Sequence, residues 1–200
     1  MLPERALAFP VVLRAFDVRD APRVQLLAGE REIAEPTGVI PHPYPEGAAE
    51  AWIAVQARER AAAREYTYAV TPIDEPMLVG AISLRPIATE HENLGFWIGR
   101  PYWGRGYATE AVRAVIDHLF SVTDLDALSA GCRVTNLASR RVIEKCGFQW
   151  TGAALFRVRA LGASVPADRF RLERGIWASL RAWGKSGLPK IAAEKKKAAR

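Results

Sequence analysis

The sequence predicts one α/β domain, and two observations support this class. Short β-like runs alternate with segments whose apolar residues recur at helical spacing, and no internal repeat is found. Half of the 200 residues are hydrophobic, which is enough apolar material for a single core in a chain of this length. We expect the domain to cover residues 1–183 and a basic, disordered tail to follow at 184–200.

The first half of the chain predicts a strand, a helix, a loop, a second helix and three strands. Ala21, Val24 and Leu27 repeat at helical spacing, whereas the segment PTGVIPHPYPEG has too many prolines for a helix or a central strand. The later strands are rich in Val, Ile and aromatic residues. The predicted bounds are 11–16 for the first strand, 20–33 and about 49–63 for the helices, 36–47 for the loop, and 66–70, 78–84 and 94–98 for the later strands.

The second half opens with an amphipathic helix that follows the segment YWGRG. Its apolar residues occupy i, i+3 and i+4 positions through three turns, from Ala108 to Phe120. A strand at 127–132 and a helix at 136–146 come next, and Gly147 ends that helix before a further strand. Residues 168–177 alternate apolar and charged side chains, which predicts a half-buried last strand.

The net charge of +6 is concentrated in the tail. Residues 184–200 hold six Lys or Arg residues against one Glu, so they carry +5 of the +6 and leave the body almost neutral. A neutral body lacks the positive surface that nucleic-acid binding needs. We therefore expect contact with nucleic acid or the ribosome only through the tail, if at all; solvation of a chain end is the alternative.

Two cysteines, Cys132 and Cys146, are the only ones in the sequence. Their number and spacing match neither a disulfide framework nor a zinc site, so we expect no metal. No run approaches the ~18 apolar residues of a membrane helix, and no targeting segment is evident. These observations predict a cytoplasmic protein without a membrane partner.

The segment LGFWIGRPYWGRGYATEA, residues 94–111, joins a predicted strand to the amphipathic helix through a turn with two glycines. The first N–H groups of a helix have no partner within it, and the helix dipole favours an anion there. Gly104 and Gly106 allow positive φ angles and a close approach of the backbone to a ligand. The turn is therefore a candidate phosphate cradle; a tight turn that needs glycines for geometry alone is the alternative.

Two other phosphate-binding motifs do not fit this turn. A dinucleotide fingerprint would need a third glycine where Thr109 stands, and it usually follows the first strand of a repeated βαβ unit. Several predicted strands precede this turn instead. A Walker loop is excluded because no Gly-Lys-Ser/Thr follows.

The same segment, with Asn136, Ser139 and the run RRVIEKCGF at 140–148, resembles the GNAT acetyltransferases, specifically their ribosomal-protein N-terminal acetyltransferase (RimJ/RimL-like) branch. The runs LRAFDVRDA and AISLRPI fit that branch too, so the resemblance covers about residues 11–177. It implies a GNAT fold, in which a central mixed, mostly antiparallel sheet of six to seven strands has about four flanking helices and splayed fourth and fifth strands. It also implies an acyltransferase that uses acetyl-CoA as the acetyl donor.

The resemblance assigns cofactor contacts to the turn, to the strand before it and to the helix at 136–146. The turn would wrap the pyrophosphate, and the strand backbone would pair with the pantetheine arm and polarise the thioester carbonyl. Asn136 matches a position that hydrogen-bonds the arm, and Arg140 is placed either to reach phosphates or to face solvent. The cofactor-binding candidates are Phe96, Trp97, Ile98, Trp103, Gly104, Arg105, Gly106, Tyr107, Ala108, Thr109, Asn136, Ser139 and Arg140.

The catalytic candidates are Ser139, Asn136, His91 and Asn93. Ser139 matches the position proposed in this branch to protonate the departing thiolate, and a serine that caps its helix is the alternative. Two family features are missing, because Asn93 stands where relatives often carry Glu, and Ile143 where many carry a Tyr acid. Strand alternation puts His91 and Asn93 on one face, so a water relayed to either is the expected base.

The missing carboxylate favours an acceptor amine of low pKa. An α-amine, with a pKa of about 7.7–8.0, is partly neutral near pH 7.4, whereas a lysine at about 10.4 is neutral to only about 0.1%. Activating lysine would therefore require about 3–4 kcal/mol more from the site. We expect acetylation of a protein or peptide N-terminal α-amine, with His42, Tyr44 and Trp52 as groove-lining candidates or as packing residues.

Two other functions remain open at this point. The first is acetylation of a small-molecule amine, such as an antibiotic, a polyamine or an amino acid, which requires the same chemistry. A non-catalytic acyl-CoA-binding regulator would explain the missing Glu and Tyr. The sequence also leaves open whether the chain forms a homodimer and whether another acyl group replaces acetyl.

Overall fold

The computed structural model describes residues 3–85 and 93–185, and these ranges form eight strands and six α-helices. The strands are β1 (Arg5–Ala8), β2 (Val11–Arg14), β3 (Tyr66–Pro72), β4 (Gly80–Leu84), β5 (Leu94–Ile98), β6 (Ala127–Arg133), β7 (Gln149–Val158) and β8 (Ala163–Glu173). The helices are α1 (Ala21–Ala28), α2 (Arg31–Ala34), α3 (Ala48–Ala61), α4 (Tyr107–Val122), α5 (Leu137–Lys145) and α6 (Arg174–Lys185).

All eight strands form one sheet in the order β1-β2-β3-β4-β5-β6-β8-β7. Neighbouring strands pair antiparallel except β5 and β6, which are parallel. The predicted mixed, mostly antiparallel sheet is confirmed. Because β1 adds a strand at one edge, the predicted fourth and fifth strands are β5 and β6.

The eighth strand comes from an N-terminal hairpin that the sequence did not reveal. β1 pairs with β2 from Arg5 opposite Arg14 to Ala8 opposite Val11. The predicted first strand begins only at Val11, because Pro10 interrupts the preceding run and that run lacks a clear alternation. Leu7 lies on this edge strand and is 73% exposed, so the presence of this hydrophobic residue does not indicate a buried strand.

Two further differences raise the number of helices from about four to six. The predicted helix at 20–33 is α1 and α2, separated at Gly29 and Glu30. The predicted last strand ends four residues early, at Glu173, where the Arg174 guanidinium donates to the Phe120 and Leu125 carbonyls at 2.7 and 2.8 Å. The chain continues as α6, which these bonds anchor to the end of α4.

Helices cover both faces of the sheet. On β3, Tyr68 and Val70 join the hydrophobic cluster around α4, whereas Ala69 between them joins the cluster around α1 and α3. The apolar stripe of α4 is buried as predicted, through Ala111, Val112, Val115, Ile116, Leu119 and Phe120. The glycine turn leads directly into α4, so the candidate cradle lies at the start of this buried helix.

Candidate active site

The candidate site is built where β5 and β6 separate. Leu94 of β5 pairs with Ala130 of β6, and the described residues show no second pairing between these strands. β4 covers the other edge of β5 along its whole length. Beyond Leu94, the backbone on the β6 side of β5 therefore has no strand to bond, and the sheet is open at this point.

The bonding to β4 decides which residues of β5 face this opening. At one end of β5, Arg85 N donates to Asn93 O at 2.8 Å. At the other end, Gly99 N donates to the carbonyl oxygen of Val79, the residue before β4, also at 2.8 Å. Antiparallel strands alternate between hydrogen-bonded and non-hydrogen-bonded pairs, so the odd-numbered residues bond β4. The N–H and C=O groups of Phe96 and Ile98 are consequently directed to the opening.

Trp97 does not share this role, although the sequence placed it with its two neighbours as a backbone contact of the cofactor arm. Trp97 is paired with Ala81 of β4, in the odd-numbered set that uses its backbone inside the sheet. Its half-buried side chain packs against the cluster around α1 and α3. Trp97 therefore contributes packing, and the alternation of the strand removes its backbone from the opening.

The turn before α4 keeps its helix start free of side-chain caps. Gly104 and Gly106 have φ angles of +76° and +80°, and a Cβ atom at either position would meet nothing within 4 Å. Both glycines are therefore required for backbone conformation and not for space. No side chain caps α4 at Gly106, so the N–H groups of Tyr107, Ala108 and Thr109 lack a partner within the helix.

Aromatic and basic side chains brace this turn from outside. The Trp103 indole Nε1 donates to Ile98 O at 2.5 Å, which ties the turn to the end of β5. Arg23 of α1 donates to the Tyr102 hydroxyl, and the guanidinium groups of Arg23 and Arg105 lie 5.6 and 5.4 Å from the Tyr102 ring centroid. Trp103 thus occupies the Ile98 carbonyl, and the Ile98 N–H remains directed to the opening.

Of the two candidates at the start of α5, Asn136 and Ser139, only Asn136 caps the helix with its side chain. Asn136 is the N-cap residue, and its Oδ1 accepts from Ser139 N at 3.1 Å. The Ser139 side chain is half-buried, and its hydroxyl has no hydrogen-bond partner in the described part of the chain. The helix is therefore capped by Asn136, which leaves the Ser139 hydroxyl available to a ligand.

Arg140, placed by the sequence either to reach phosphates or to face solvent, is bonded within the protein through two of its nitrogens. Its Nη1 donates to Asp168 Oδ2 at 3.0 Å and its Nε donates to Glu144 Oε1 at 2.9 Å. The Arg140 guanidinium also lies 5.6 Å from the Phe170 ring centroid. Two carboxylates and an aromatic face hold this side chain against β8, so its position is set by the protein.

Asn93 links β5 and β6 by hydrogen bonds at the point where the strands separate. These bonds occupy its side chain, which differs from the part in a water relay that the sequence suggested. Its side chain is buried, and its Oδ1 accepts from both the N–H and the hydroxyl of Ser129 at 3.0 Å. Its Nδ2 donates to Arg85 O at 2.9 Å. The other base candidate, His91, lies outside the described residues.

The groove candidates pack on the face that carries α1 and α3. Phe16 and Trp52 make an edge-to-face contact with ring centroids 4.9 Å apart, and Tyr44 packs against the same cluster. The His42 Nδ1 lies 3.0 Å from Gly29 O. These aromatic side chains fill the α1–α3 side of the sheet, which is the face opposite α4.

Sequence reasoning missed Ser129 and Asp168. A serine on a short strand gives no signal of its own. Asp168 did give one, because alternation in β8 places residue 168 on the same face as Phe170 and Leu172. An acidic residue in such a series predicts a buried, partnered carboxylate.

Both thiols are buried and resist ionisation. Burial, with a smaller effect of the nearby Asp168 carboxylate, raises the pKa of Cys132 to about 11. Burial also raises the pKa of Cys146 to about 12. The described residues contain no cluster of three or more potential metal ligands, and none of their helices is long and apolar enough to span a membrane.

The chain is thus an α/β domain whose sheet parts between two parallel strands, beside a helix with an uncapped N-terminus. Residues 11–149 match the family described as acetyltransferase (GNAT) domain, which is more than half of the chain. The chain therefore belongs to the GNAT acetyltransferase family, as its motifs predicted.

Individual relatives cover the chain to different extents. "Probable N-acetyltransferase YjcK" from Bacillus subtilis (strain 168) is 35% identical over 101 residues, which are 49% of this chain and only 56% of that relative. RimL, named ribosomal L7/L12 alpha-N-protein acetyltransferase and solved with coenzyme A, has a TM-score of 0.72 at 17% identity and covers 85% of this chain and 98% of its own. The microcin C7 self-immunity acetyltransferase MccE, solved with acetyl-CoA and AMP, has a TM-score of 0.73 at 15% identity, with 86% and 97% coverage. The two structures share the fold of this chain.

The glycine conformations give a first prediction. Gly106→Ala should lower the free energy of unfolding by about 1–2 kcal/mol, because an L-residue is strained at positive φ. Gly175→Ala in α6 is the matched control, since a Cβ there meets nothing within 4 Å and no positive φ is involved. Urea denaturation followed by circular dichroism measures both; equal effects at the two positions would contradict the conformational role of Gly106.

The thiol pKa values give a second prediction. At pH 8 the thiolate fraction of Cys132 is about 0.1% and that of Cys146 is smaller, against about a quarter for a free thiol. Native protein should therefore react with iodoacetamide at least ~100-fold more slowly at pH 8 than protein in 6 M urea. Because folding raises both pKa values, the stability tied to the neutral thiols is complete below about pH 8.5 and decreases as the pH rises toward 11. Equal labelling rates in the two conditions would overturn this assignment.

Proposed function

We propose that this protein is an acetyl-CoA-dependent N-acetyltransferase that transfers the acetyl group directly to a primary amine. The observation that carries the proposal is an open sheet edge at Phe96 and Ile98 together with an uncapped helix start at residues 107–109. An extended thioester arm adds to such an edge as a strand would, and phosphates suit the amides of such a helix start. The coenzyme A and acetyl-CoA in the two neighbouring structures support this cofactor.

In this proposal, backbone amides provide most of the phosphate contacts. The helix start at residues 107–109 presents its N–H groups, and Arg105 supplies a guanidinium whose one described hydrogen bond is a 3.4 Å contact to a carbonyl. Arg100 is paired with Glu32 at 2.9 Å. Asn136 has its Oδ1 engaged in the α5 cap, so its Nδ2 is the group that it offers to the cofactor arm.

The buried thiols support direct transfer, because neither cysteine is suited to carry the acyl group. A covalent acyl-enzyme would need a thiolate or another activated nucleophile, and both cysteines are buried and protonated at neutral pH. In a ternary complex, the neutral amine nitrogen bonds to the thioester carbon and the C–S bond breaks. The N–H groups of Phe96 and Ile98 stabilise the oxyanion, and a base accepts the amine proton. The Ser139 hydroxyl gives its proton to the thiolate and takes one back from water, while the base returns its proton to water.

The acceptor that we propose is an N-terminal α-amine of a protein or peptide. Asn93 is an amide with its oxygen engaged by Ser129, so it provides no base at the position where relatives often have a carboxylate. His91 remains the base candidate, acting through a water. An α-amine is already partly neutral at pH 7.4, and the name of RimL, an alpha-N-protein acetyltransferase, points to the same acceptor class.

The acceptor is tested by thiol release from acetyl-CoA in the presence of two panels. One contains peptides with free α-amines and their N-formylated counterparts, and the other contains spermidine, amino acids and aminoglycosides. We expect acceptor-dependent release with free α-amines, none with formylated peptides, and sequential kinetics without an acyl-enzyme. Turnover only with small amines would reassign the acceptor, and acetyl-CoA binding without any turnover would identify a regulator.

The free Ser139 hydroxyl leads to a further prediction. Ser139→Ala should lower kcat by about 100-fold, the lower limit of the usual contribution of general acid–base catalysis. The Kd of acetyl-CoA should change less than threefold, because Asn136 and not the serine side chain caps α5. Ser121→Ala, on exposed α4 surface, is the matched control. Steady-state kinetics and calorimetric titration provide the two readouts, and an unchanged kcat would remove the acid role.

A further inference from the structure

Asp168 of β8 is a buried carboxylate whose contacts reach the helix that carries Ser139. It is only 6% exposed, and it lies in the sheet with β6 on one side and β7 on the other. Its Oδ2 accepts from Arg140 Nη1 at 3.0 Å, and its Oδ1 accepts from Trp150 Nε1 at 2.8 Å. The Asp168 carboxylate thus joins β7, β8 and the first turns of α5.

The start of α5 is otherwise fixed by the Asn136 cap and by the bond from Asn136 N to Arg133 O in β6. This helix is nine residues long, and Ile143 is its one buried residue. A helix of this length is marginal in water, so tertiary contacts must hold it. Arg140 follows Ser139 directly, and its bond to Asp168 anchors the turn that also contains the Asn136 cap.

The two carboxylate partners of Arg140 are not equivalent. Glu144 is on the same helix and its side chain is 46% exposed, so water screens this pair and it cannot fix the helix to the sheet. The Asp168 side chain is 9% exposed and belongs to another element. The Arg140 side chain is 36% exposed and partly solvated, whereas the buried Asp168 carboxylate depends on Arg140 and Trp150 for its hydrogen bonds, so the geometry around Asp168 is preferred.

We infer that Asp168 is a positioning residue: through Arg140 it holds the first turn of α5 so that the Ser139 hydroxyl meets the sulfur of the bound thioester. This inference rests on the proposed function. It also gives Arg140 a role in place of phosphate binding, because a guanidinium that is held by the sheet orients the neighbouring residue. Trp150, as the second partner, fixes the carboxylate in the orientation that Arg140 requires.

The test replaces Asp168 by asparagine, which keeps the size and the acceptor for Trp150 but puts an N–H donor opposite Arg140. We expect kcat to fall at least tenfold while the KM for acetyl-CoA changes less than threefold. Amide hydrogen exchange of residues 133–143 should accelerate at least fivefold, with α4 unchanged. Glu144→Gln is the matched control, with both quantities expected within twofold of the wild type.

Trp150→Phe keeps the inference testable if Asp168→Asn does not fold. It removes one hydrogen bond to Asp168 at a side chain that is 55% exposed, and we expect kcat to fall two- to fivefold at constant KM. An unchanged kcat in the folded Asp168→Asn protein, or an equal loss in Glu144→Gln, would overturn the inference alone. An unchanged kcat in Trp150→Phe, where Asp168→Asn does not fold, would do the same. A wild-type protein without acceptor-dependent turnover would overturn the proposed function and this inference with it.

Discussion

The separation of β5 from β6 is the constraint on which the rest of the site depends. One pairing, Leu94 with Ala130, is followed by an opening that leaves the backbone of Phe96 and Ile98 without a sheet partner. Unpaired backbone groups are costly inside a protein, so an opening of this kind persists only where something else bonds them. In the proposed function, the bonding partner of these groups is the extended arm of the cofactor.

Hydrogen bonds between two polar residues hold β5 and β6 together at the edge of the opening. Asn93 and Ser129 exchange three hydrogen bonds at the point where pairing ends. A carboxylate at position 93 would accept the Ser129 bonds but could not donate to Arg85 O as the amide does. The asparagine at this position therefore has a structural benefit. Without a carboxylate here, either the acceptor amine has a low pKa and needs little activation, or another residue acts as the base.

The sequence was sufficient for features that depend on local patterns. The stripe of α4, the glycine turn and the mixed sheet all follow from periodicity, φ preference or motif, whereas the cap of α5 is Asn136 and not the serine that the sequence suggested. It was insufficient where partners come from distant parts of the chain. The β1 hairpin, the helix that begins at Arg174, and the ion pair of Arg140 with Asp168 depend on contacts across the fold, which a linear pattern does not contain.

The distribution of arginines bears on how a nearly neutral body would hold the phosphates of the proposed cofactor. Arg100 and Arg140 are paired with carboxylates, and Arg105 stacks on Tyr102 at the edge of the turn. Arg100 and Arg140 are thus neutralised by carboxylates within the protein, while the uncapped amides of α4 have no partner within their helix. Backbone dipoles are fixed by the fold and cost no side-chain entropy when a phosphate arrives, so an amide cradle favours a bound cofactor of one defined geometry over polyanions in general.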